Sequence, residues 1–108
     1  MSFISEFEAM SDDIHETAVK KGWWEGERNK GELLALVHSE VSEALEALRH
    51  GNPADDKIPG FSGVEAELAD TVIRIMDMSS AFGWRVAEAI LAKSEMNKGR
   101  EYKHGKQF

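Results

Sequence analysis

Apolar residues recur along most of this chain at steps of three and four, the spacing that builds one face of a helix. Over residues 3–21, Phe3, Phe7, Met10, Ile14 and Ala18 keep that rhythm, and Gly22 stands where a left-handed cap ends a helix. The run ELLALVHSEVSEALEALRH, residues 32–50, is rich in Ala, Leu and Glu and stops at Gly51, ahead of Asn52 and Pro53. A third helix is predicted over residues 64–82, ended by Gly83, and a fourth over residues 85–98, ended by Gly99.

Between these segments lie GWWEGERNKG, a loop with two adjacent tryptophans, and NPADDKIPGFSG, which holds both prolines and two glycines and reads as a connection. The third and fourth helices are joined by almost nothing, which favours antiparallel neighbours. The pattern therefore predicts one all-α domain over residues 1–108, a four-helix bundle with a polar, mostly basic tail from about residue 100. No repeat, low-complexity tract or alternating strand pattern interrupts it.

The second helix places a carboxylate inside its own apolar stripe. At about 100° per residue, with Glu40 at zero, Leu33, Ala44, Val37, Leu48, Val41, Leu34 and Leu45 spread over roughly 20 to 140°. Leu36 falls on the other side, so Glu40 lies among apolar neighbours, and Glu43 sits at the stripe's edge one turn on. The third helix repeats the arrangement: Met78, Val64, Phe82, Ile75 and Leu68 fall within roughly 100° of Glu67, and Asp70 lies one turn along.

Ionised carboxylates in apolar surroundings are costly, and like charges one turn apart repel. Protonation, pairing with a buried Arg or Lys, or a bound cation would relieve them. Arg74 is one candidate counter-ion, but one guanidinium does not neutralise Glu40, Glu43, Glu67 and Asp70 together. An oxygen-only set without His or Cys suits Mg²⁺, with Mn²⁺ a possible substitute, and suits zinc poorly.

Composition narrows the partners. With 108 residues, 42% of them apolar and 31% charged, the chain is expected to fold, but its core is small for a lone monomer. A formal charge of −7 argues against DNA or RNA polymers as partners, because phosphate neutralisation needs a basic face. There are no cysteines, so disulfides and thiolate metal sites are excluded. The opening MSFISEFEAMSDD has neither a basic leader nor an apolar core, and no apolar run approaches the roughly 20 residues that span a bilayer. The expectation is a soluble, cytoplasmic protein without membrane partners.

LLALVHSEVSEALEAL, then EAELADTVIRI, then KSEMNKGREYKHGK, together resemble the MazG-like branch of the all-α nucleoside triphosphate pyrophosphohydrolases, over roughly residues 22–106. The E-x-x-E and E-x-x-D motifs of that family fall on Glu40, Glu43, Glu67 and Asp70. The resemblance implies cleavage of a nucleoside triphosphate between its α and β phosphates, with Mg²⁺ held by those carboxylates. It also implies a homodimer or dimer of dimers that completes the bundle between subunits. Related branches act on dUTP or dCTP, and another on phosphoribosyl-ATP.

In that reading Glu43 is the candidate general base, and Lys93, Asn97, Arg100, Tyr102 and Lys103 are candidates to face the triphosphate. Trp23 and Trp24 are candidates to stack on the base or to close the bundle's end, one role for each. Lys98 and Lys106 read as cations complementing a helix terminus. Trp84 reads as core or interface, and His38 and His50 as structural or exposed. Longer MazG proteins carry a Trp-Asp pair before the metal helix; here Trp24 is followed by Glu25, so the resemblance carries no base preference. The competing reading from another class is an acidic helical interaction protein that dimerises through the same stripe.

Overall fold

The computed structural model describes residues 2–108. Four helices follow in order, α1 (Phe3–Lys20), α2 (Lys30–Arg49), α3 (Gly63–Phe82) and α4 (Val86–Lys98), and a short 3₁₀ turn spans Tyr102–Gly105. The chain is all-helical. Among the described residues the sole extended pairing is an isolated bridge between Ala54 and Ser62 in the α2–α3 connection.

The helix starts are set by side-chain caps. Ser2 and Ser5 cap α1 reciprocally, and Ser62 and Glu65 do the same for α3, each satisfying backbone N–H groups that have no partner within the helix. On α2 the Asn29 side chain accepts from the Glu32 N–H, so the helix begins two residues before the apolar run. Gly83 ends α3 in the left-handed conformation, at φ 66°.

Packing is centred on α3, which lies against α1 on one side and α2 on the other. Small residues let α2 and α3 approach closely. Ala44 and Ala66 are buried, and a Cβ on Gly63 would come within 3.1 Å of the Ala47 Cβ. Asn52 closes the connection: its Oδ1 accepts from the Val64 N–H at 2.8 Å, while its own N–H donates to the Ala47 carbonyl.

The fourth helix departs from the expectation. It packs mainly on α1 rather than running back along α3, with Ala87 buried and everything from residue 89 onward exposed. The linker explains the turn. After Gly83, the Trp84 N–H donates to the Ser79 carbonyl and the Ser79 hydroxyl donates to the Trp84 carbonyl, so the chain folds over the end of α3 instead of doubling back. Three helices thus form the packed body, and α4 is attached at its edge.

The body leaves much apolar surface uncovered. Leu33, Ala44, Ala66, Met78 and Ala87 are the buried apolar residues among those described, and no large side chain is fully enclosed. On α2, Leu34, Val41, Leu45 and Leu48 are each about half exposed, and on α3 so are Leu68 and Val72. The chain exposes 8200 Å², whereas a compact monomer of this mass exposes roughly 6,000 Å². Its radius of gyration is 16.2 Å, against about 13 Å for a compact domain of this length. No helix among the described residues is long and apolar enough to cross a membrane.

Candidate metal centre

The close α2–α3 seam brings the carboxylates of the two helices together. Oxygens of Glu40, Glu67 and Asp70 all lie within 4.8 Å of one another. Glu40 is buried, Glu67 partly so, and Asp70 stands at the exposed rim. Glu43 is exposed and lies outside this trio, but its charge bears on Glu67.

Among the described residues, Arg74 is the cation that pairs with the cluster. The Arg74 Nε donates to Glu40 Oε1 at 2.9 Å. Glu40 Oε2 and Glu67 Oε2 are both buried and have no hydrogen-bond partner among the described residues. Two orphaned carboxylate oxygens at one point are unusual, since buried polar atoms almost always find partners.

The electrostatics follow from this crowding. Burial, then the neighbouring Glu43 and Glu40 carboxylates, push the Glu67 carboxyl up to about 7. Asp70 is also raised, by burial and by Glu40, with Arg74 opposing and with Asp55 and Glu43 adding to the rise. Glu67 and Asp70 therefore resist ionisation in the chain alone, and a divalent cation is the group that would reverse the resistance. Oxygen donors from two helices, two of them unpartnered, fit Mg²⁺.

Glu40 and Asp70 of the cluster, but not Glu67 or Glu43, line a cleft of about 460 Å³ built mainly from α1, the α1–α2 loop and α3. Glu40, Asp70 and Arg74 line one part of it; Asp13, Lys21, Trp23, Arg28 and Asp77 line the rest, with apolar patches from Ile14, Ala18 and Ile73. The cleft thus offers carboxylates, three cationic side chains and an aromatic face together.

The two tryptophans are separated in role. Trp23 is 64% exposed and lines the cleft. Trp24 is held: its Nε1–H donates to both oxygens of Asp77, at 3.0 and 3.1 Å, and its ring packs edge-on against His15 and Phe82. Lys93 and Asn97 are exposed on α4, and Arg100, Tyr102 and Lys103 are exposed in the terminal segment; none of the five lines the cleft. His38 and His50 are exposed, and the Lys98 Nζ reaches Glu95.

Four further residues near the site do not stand out in the sequence. Asp77 lies seven residues beyond Asp70, about 20° from it around α3, so helical arithmetic places the two on one face. Arg28 and Asp55 sit in loops where no periodicity applies, and His15 lies on α1, 62 positions from its partner Asp77. Only the fold brings these together. No family model, curated protein or solved structure matches the chain.

Proposed function

We propose that this chain is a Mg²⁺-dependent nucleoside triphosphate pyrophosphohydrolase of the MazG-like kind, hydrolysing (d)NTPs to the monophosphate and pyrophosphate in the manner of an enzyme that clears unwanted nucleotides from the pool. The observation that carries the reading is the pair of buried carboxylate oxygens, Glu40 Oε2 and Glu67 Oε2, unpartnered among the described residues and contributed by two helices to one cluster, of which Glu40 and Asp70 line a cleft.

Glu40, Glu67 and Asp70 would hold the metal, with Glu43 beside them. Bound there, Mg²⁺ would hold the triphosphate at an acidic site and take up charge developing on its phosphate oxygens. Arg74 holds Glu40 in place through its Nε, and its Nη groups make no hydrogen bond among the described residues, so they remain available to a phosphate. Glu43 is the base we assign. Its carboxylate reaches solvent and stands outside the tight trio, so it can accept a proton from an attacking water. Trp23 supplies the exposed aromatic face on which a base can stack.

The second copy belongs to the same reading. The exposed surface exceeds that of a compact monomer by roughly 2,000 Å², more than the ~800 Å² that each partner buries in a standard interface. Half-exposed Leu34, Val41, Leu45 and Leu48 lie along α2 as the face that such a partner would cover. In a homodimer or dimer of dimers, Lys93, Asn97 and the terminal Arg100, Tyr102 and Lys103 could reach the cleft of a neighbouring subunit.

The same apolar face also favours the reading as a helical interaction protein without catalysis. A panel of ribo- and deoxynucleoside triphosphates, with phosphoribosyl-ATP included, incubated with purified protein and Mg²⁺ separates the two. Pyrophosphate released from any member supports the enzyme and names its substrate; no release from the whole panel refutes it.

A further inference from the structure

We infer that Asp77 is a positioning residue that, through Trp24, fixes two side chains lining the cleft, Trp23 and Arg28, and thereby determines how tightly a nucleotide is held. This rests on reading the cleft as a nucleotide site.

The Asp77 side chain is 17% exposed, and its two oxygens accept three contacts from two other segments. The His15 Nδ1 on α1 lies 2.7 Å from Oδ1, and the Trp24 Nε1–H of the α1–α2 loop bridges both oxygens. Neither Lys nor Arg reaches this carboxylate among the described residues. Its hydrogen bonds tie three segments together at one atom group, where burial makes such bonds worth more than at the surface.

From Trp24 the order passes outward. The Arg28 guanidinium lies 5.2 Å from the Trp24 ring centre, and its Nη1–H donates at 2.8 Å to the Trp23 carbonyl. Trp23 and Arg28 both line the cleft. A loop of this composition, with Gly22 and Gly26 at φ 88° and 73°, has little local preference of its own. The clamp supplies the order that the loop lacks.

The other end of the ruler is on the same helix. Asp70 and Asp77 are two turns apart on one face of α3, about 10 Å along the axis. A rigid helix therefore sets the spacing between Asp70 in the acidic cluster and the clamp at Asp77. Loosening the clamp should weaken ligand binding while leaving the metal cluster and the chemical step as they are.

The test uses Trp24→Phe, which keeps an aromatic ring but removes the indole donor and part of the ring area, and Asp77→Asn, which removes the charge and one acceptor, in the full chain. Steady-state kinetics are measured with Mg²⁺ and the triphosphate that the wild type hydrolyses fastest, and Mg²⁺ affinity is measured by calorimetry. Each variant is expected to raise KM roughly tenfold, the loss of one buried hydrogen bond to a charged group. The kcat should stay within about twofold and Mg²⁺ affinity should not change. A purely structural contact would lower the melting temperature and leave KM alone, and that result overturns the inference, as does a fall confined to kcat. A wild type that releases no pyrophosphate refutes the enzymatic reading instead. The clamp is then judged by affinity for a Mg²⁺–triphosphate analogue with a methylene α,β bridge: a tenfold loss in Trp24→Phe supports it, and equal affinities or no wild-type binding overturn it.

Discussion

Arg74 on α3 donates from Nε to Oε1 of Glu40 on α2 at 2.9 Å, and the other oxygen of that carboxylate is buried with no partner. The pair closes the seam between the two helices, yet it answers only half of one carboxylate in a cluster of at least three. The remaining charge is what makes the site a candidate for a cation rather than a structural ion pair.

Removing the guanidinium should expose that imbalance. Arg74→Met leaves Glu40 buried and unpaired; with the Arg side chain 37% exposed, the cost is expected to be on the order of 2 kcal/mol, below that of a fully buried pair. Because the cluster is then more negative, Mg²⁺ should raise the melting temperature more in the variant than in the wild type. Melting curves with and without the ion check both statements, and an equal or smaller rise in the variant argues against a cation at this cluster.

Neutralising a ligand should separate stability from activity. Glu67→Gln is expected to melt above the wild type in metal-free buffer at pH 8, since it removes a charge held in partial burial. The same change should abolish stabilisation by Mg²⁺ and lower pyrophosphate release by at least on the order of 100-fold, because changes merely adjacent to metal ligands already cost 10- to 100-fold. Retained turnover in this variant would refute the assignment.

The raised carboxyls give a pH dependence of definite sign. Glu67 sits at about 7 in the folded protein, above the 4.5 of an unperturbed Glu, and Asp70 is raised as well. Between those values the folded state binds more protons than the unfolded one, so this contribution is fully present below pH 4.5 and is lost as the pH climbs through 7. Metal-free protein should therefore lose stability from pH 5 to 8, and Mg²⁺ should flatten or invert the trend at the upper end, where the ligands are ionised. Thermal melts across that range in chelator and in Mg²⁺ read the difference; parallel curves would count against it.

Assembly is tested at the exposed face of α2. The wild type should sediment at twice its 12.1 kDa or more. Val41→Lys combined with Leu45→Lys should yield a single-chain species, because two charges would have to be desolvated at the centre of the contact. A wild type that sediments as a monomer at micromolar concentration removes the dimer from the proposal.

The helices, their glycine stops and the inward placement of Glu40 and Glu67 were legible in the amino-acid order, because they follow from a 3.6-residue period and from short-range capping. Even Asp77 could have been assigned to Asp70's face by the same arithmetic. Periodicity says which side of a helix a residue occupies; it does not say which helix will meet that side. Only the fold decided that α4 rests on α1, where a short linker suggests α3, and that oxygens of Glu40, Glu67 and Asp70 come within 4.8 Å of one another. Only the fold joined His15, Trp24 and Asp77, or brought Asp55 near Asp70. Those relations depend on contacts between segments tens of residues apart, fixed by how closely small residues such as Gly63, Ala44 and Ala66 let the helices pack.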